Sequence, residues 1–97
     1  MSELEILLTA IRTYGEKAQE GVAIEECAEL IQAISHKHRG RQHNIPEEIA
    51  DVEIMLEQLK IINNCRDEVA EIHKRKIERL YHSVYDMCFE SKELGKV

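Results

Sequence analysis

Apolar residues recur along the chain at mixed three- and four-residue steps, the period of helices with one buried face, and no segment sustains the two-residue alternation of a strand. Leu4, Leu7, Leu8, Ile11, Tyr14 and Ala18 form a first stripe, opened by Ser2 and Glu5 in the spacing of a capping box. Gly21 is the expected stop. A second helix is expected from about Val22 to His38, with Ile24, Cys27, Ala28, Ile31 and Ile34 as its stripe. Residues 39–44 break the pattern as a basic loop. Asn44 and Glu47 repeat the capping spacing, and Pro46 suits a first helical turn, where its missing N–H costs nothing. Ile49, Val52, Met55, Leu56, Leu59 and Ile62 mark a third helix, which Asn63 and Asn64 interrupt. A fourth is expected from about Arg66 to Glu90 on Val69, Ile72, Ile77, Leu80, Tyr81, Val84 and Cys88. The pattern therefore predicts an all-α fold, an antiparallel bundle of about four helices.

Some helices carry more apolar surface than one neighbour can cover. Leu30 and Ala33 lie off the main stripe of the second helix, and Ala50, Ile54 and Ile61 form another ridge on the third. Two apolar faces on one helix imply two neighbours, so the bundle is expected to be completed by oligomerisation.

Length and composition narrow the class. The 97 residues make a single domain, 1–97, with room for one core. One Pro and four Gly leave no linker or low-complexity stretch. Nineteen acidic against 13 basic side chains give a net charge of -6, which repels a phosphate polymer and argues against nucleic-acid binding. A small phosphorylated ligand stays compatible if a cation bridges it to the protein. Cys27, Cys65 and Cys88 are odd in number and widely spaced, as expected of free thiols in a reducing compartment. The N-terminus has no basic region or cleavage site, and no apolar run approaches the roughly 20 residues of a membrane span. The expectation is a cytoplasmic protein with no membrane association.

The candidate chemistry lies in acids at helical spacing. Glu26 and Glu29 are three residues apart, about 60° around a helix axis, and so share a face; Glu48 and Asp51 repeat the arrangement on the third helix. Glu48 falls among Val52, Met55 and Leu59, inside the apolar stripe, with Asp51 at its edge. Carboxylates converging in such a place repel one another and are driven towards protonation unless a cation joins them. All-oxygen ligation suits magnesium or manganese rather than zinc. Either cluster alone also reads as an ordinary acidic face: Glu47, Glu48 and Asp51 near a helix N-terminus, where the dipole favours them, and Glu25, Glu26 and Glu29 in solvent beside Lys or Arg.

Glu25-Glu26-x-x-Glu29 followed, after 18 residues, by Glu48-x-x-Asp51 resembles the EExxE…ExxD signature of the MazG-like nucleotide pyrophosphohydrolases. These belong to the all-α NTP pyrophosphatase superfamily, with the dimeric dUTPases and the dCTP pyrophosphatases. The likeness covers about residues 15 to 80, including EECAELIQAI, the Arg39-Gly40 loop and PEEIADVEIMLEQL. It implies a nucleoside triphosphate substrate cleaved between the α- and β-phosphates to a nucleoside monophosphate and pyrophosphate, in nucleotide-pool house-cleaning. It also implies Mg2+, with Mn2+ able to substitute, held by Glu26, Glu29, Glu48 and Asp51. Glu25 would orient or deprotonate the attacking water, or support the metal. Lys76 and Arg79 on the fourth helix would contact phosphates, although both could equally pair with Glu71 and Glu78. The assembly implied is a homodimer or homotetramer.

Other residues read more plainly. His36, His38 and His43 border the loop as surface residues. His73, Tyr14, Tyr81 and Tyr85 fall at core spacing. With no Trp, base selection cannot rest on an indole, unlike some dCTP-directed relatives, and the chain is shorter than the dimeric dUTPases. Two other functions share the helical pattern. A MazG-like module without activity, acting as a regulatory or partner-binding element, would not need every motif acid. A metal-storage bundle would place Glu-x-x-His pairs on its helices.

Overall fold

A computed structural model describes the backbone of residues 1–95 and the side chains of residues 1–87. Four α-helices follow in order, α1 (Glu3–Tyr14), α2 (Glu16–His38), α3 (Ile45–Ile62) and α4 (Arg66–Gly95), with no strand among the described residues. The chain divides into two compact units, residues 1–64 and 65–97.

In the first unit α2 and α3 pack along their lengths, and α1 lies against both. At one end of the α2–α3 pair, the Gln19 amide Nε2 donates to Gln58 Oε1 at 2.8 Å. At the other end Glu29 meets Glu48. The helices therefore run antiparallel, and the step from Gln19 to Glu29 on α2 equals the step from Glu48 to Gln58 on α3, about 15 Å of helix. The core consists of Leu7 and Ile11 from α1, Ala23 and Ala33 from α2, and Met55 from α3, joined by buried Gln19, Gln58 and Glu48.

The caps follow local chemistry. Ser2 Oγ accepts the Glu5 N–H at 3.1 Å, the expected N-cap bond. Asn44 precedes α3 but makes no side-chain cap bond. Its amide instead donates to Glu48 Oε1 at 2.8 Å and lies 3.5 Å from Glu47 Oε2, so the expected capping role becomes a contact to a carboxylate. Asn64, at φ 48°, ends α3 in the left-handed conformation that asparagine tolerates, and the Asn63 side-chain amide donates to the Leu59 carbonyl at 2.9 Å.

For α1 and α2, two expectations of the sequence pattern are corrected. The break after α1 falls at Gly15, not Gly21: Gly15 sits at φ 94° and ψ 151°, a region essentially reserved for glycine, and its N–H caps the Ile11 carbonyl at 2.8 Å. Gly21 lies inside α2, and Ala18 belongs to α2 rather than to the first helix. A lone glycine in a helix costs only about 1 kcal/mol, too little to stop one by itself. Replacing Gly15 with Ala is therefore expected to destabilise the fold by about 1–3 kcal/mol. Gly21→Ala, where an added Cβ meets nothing within 4 Å, is expected to stabilise it by about 0.5–1 kcal/mol. Urea denaturation of the two variants checks both signs.

The second correction concerns α2. Its buried line is Gln19, Ala23 and Ala33, with Glu26 and Leu30 half-buried, whereas Ile24, Cys27, Ala28, Ile31 and Ile34 are exposed. The residues off the main stripe face α1 and α3, and the main stripe faces outward. Periodicity groups residues by face. It does not say which face is inside.

The second unit is the helix α4, which extends past the expected end near Glu90 to Gly95. Val69 and Ile72 are half-buried, and the side chains from His73 to Met87 are exposed. Tyr81 and Tyr85 stack on each other with ring centroids 6.0 Å apart. The core placement expected for Tyr14, Tyr81, Tyr85 and His73 is thus corrected: all four are exposed. His38 and His43 lie on the surface as expected, and His36 is half-buried. Cys27 and Cys65 are free thiols, and Cys88 lies outside the described side chains. No described helix is long and apolar enough to cross a membrane.

Candidate metal centre

The α2–α3 register brings acids from both helices together. One carboxylate oxygen from each of Glu26, Glu29 and Glu48 lies within 4.8 Å of the other two. Glu26 is half-buried and Glu29 exposed, so the group opens to solvent on the α2 side. Asp51 is half-buried on the same face of α3 as Glu48, and its charge acts on both Glu26 and Glu48. Glu25 is exposed and is not one of the converging three. Lys76 and Arg79 are exposed on α4, three residues apart on one helical face.

Gathered surface acids are common without any ion. Burial separates this group from them. Glu48 is only 7% exposed, one of its oxygens takes the Asn44 amide, and the other, Oε2, is buried with no hydrogen-bond partner. Glu26 Oε2 is buried and unpartnered as well. A buried carboxylate oxygen without a donor is costly, and here the groups that face it are other carboxylates. Burial, chiefly, raises the Glu26 carboxyl above its usual range, helped by the charges of Glu29, Asp51 and Glu48 and by a proton that it can share with Glu29. Burial also raises Glu48. The Asn44 amide opposes that shift, and the charges of Glu29, Asp51 and Glu47 reinforce it.

The donor set fits a hard divalent cation. It holds oxygen only, comes from two helices, and includes two orphaned oxygens that a cation would satisfy. An octahedral magnesium keeps its ligand oxygens about 3–4 Å apart, which a small rotation of exposed Glu29 can reach. Asn44 is the residue of the carboxylate cluster that the sequence pattern disguised, because an Asn before a helix reads first as a cap. By holding one Glu48 oxygen it leaves the other aimed at the acids of α2. Asn44→Ala is expected to weaken magnesium binding about 10- to 100-fold without unfolding the helices, measured by calorimetric titration.

Proton linkage gives the site a measurable signature. Both raised carboxyls favour the protonated form in the fold, so the stability they contribute is present below the ordinary value of 4.5 and is lost as pH rises through their raised values. A divalent cation reverses that loss. The rise in melting temperature on adding magnesium is expected to be small near pH 5 and to grow by several degrees towards neutral pH, with protons released on binding. An equal rise at both ends of that range would contradict it.

Compared with known protein families, with curated proteins and with solved structures, the chain matches none.

Proposed function

We propose that the chain is a magnesium-dependent nucleoside triphosphate pyrophosphohydrolase, cleaving (d)NTP to (d)NMP and pyrophosphate in nucleotide-pool house-cleaning. The observation that carries the reading is the buried Glu48, its free oxygen facing Glu26 and Glu29, at the spacing of the EExxE…ExxD pattern. Magnesium, or manganese in its place, would draw the triphosphate to an acidic protein, polarise the α-phosphate and lower the pKa of a bound water. Glu26, Glu29, Glu48 and Asp51 hold it in this reading.

The reaction adds water to the α-phosphorus, breaks its bond to the bridging oxygen and releases pyrophosphate. Glu25, exposed beside the cluster in sequence, is assigned to orient or deprotonate that water or to support the metal. Lys76 and Arg79 are assigned to the phosphates on the strength of the sequence likeness and the geometry of cationic donors. The active form is a homodimer or homotetramer.

The test is a pyrophosphate-release assay across ordinary and modified dNTPs and NTPs, with and without magnesium. Turnover that needs the metal and disappears in Glu48→Gln is the expected result. No turnover of any nucleotide by the wild type would favour a catalytically inactive MazG-like regulatory or partner-binding module.

A further inference from the structure

We draw no further inference here: the strongest candidate, the acid-rimmed apolar groove where Glu3 of α1 borders Ala50, Glu53, Ile54 and Leu56 of α3, carries none because nothing in the structure shows what covers it.

Discussion

Glu48→Gln is expected to abolish magnesium-dependent turnover while making the metal-free protein more stable at neutral pH. The two effects share one cause. Glu48 is buried beside Glu29 and Asp51, and its carboxyl is raised because burial and those charges disfavour ionisation. Glutamine keeps the shape, and its carbonyl can accept the Asn44 amide as Oε1 does now. It removes the charge that the fold tolerates poorly and, with it, a ligand of the proposed cation. Loss of a partner outside the ligand shell typically costs 10- to 100-fold in metal affinity, so loss of a ligand is expected to exceed about 100-fold. Thermal melts with and without magnesium, beside the pyrophosphate assay, read the result. Glu29→Gln, at an exposed position, should lose the metal effect with little gain in metal-free stability. Retention of magnesium affinity within about threefold in Glu48→Gln would remove the basis of the metal site.

Glu48 was legible in the sequence because the conflict was local: an acid at the period of an apolar stripe has few harmless explanations. Asp51 and the Glu26–Glu29 pair were legible by spacing. The convergence of the two helices could not be read from either alone, since it depends on the α2–α3 register, in which distant Gln19 and Gln58 meet. Neither glutamine stands out in the sequence, because a polar residue on an amphipathic helix reads as surface. The inversion of α2 has the same origin. Its inner line of Gln19, Ala23, Glu26, Leu30 and Ala33 is less apolar than its outer one, so periodicity favoured the wrong side. The polar members can face inward only because α3 presents Gln58 to Gln19 and its own acids to Glu26.

Local conformation explains the remaining differences. A stop at Gly21 is a reasonable reading of composition, but the chain turns where a residue must take positive φ, and that residue is Gly15. Asn44 looks like a cap by identity and spacing, yet its backbone at φ -124° and ψ 45° points the amide at Glu48 rather than supplying an acceptor to the helix N–H groups. In both places the deciding quantity is a pair of dihedral angles, which residue type constrains without fixing.

Substitution of the glutamine pair is expected to separate stability from metal binding. Gln58 is 4% exposed and Gln19 7%, and each amide has the other as its buried partner. Gln19→Leu alone strands the Gln58 amide and is expected to cost about 1–3 kcal/mol, as is Gln58→Leu alone. The double variant strands nothing and adds two apolar side chains of similar size to the α2–α3 contact, so its stability is expected to return close to that of the wild type, with a coupling of about 0.5–3 kcal/mol in the cycle. Magnesium affinity should not recover with it. A buried polar pair rejects shifted pairings in which it is unmatched, whereas leucines accept them. Slippage of one helical turn, about 5.4 Å, would carry Glu26 and Glu29 away from Glu48 and dissolve the cluster. Urea denaturation gives the cycle, and magnesium titration of the four proteins gives the second readout. A double variant that is stable and binds magnesium like the wild type would reduce the pair to an ordinary hydrogen bond. One that is stable but binds poorly would show that the glutamines set the alignment on which the carboxylates depend.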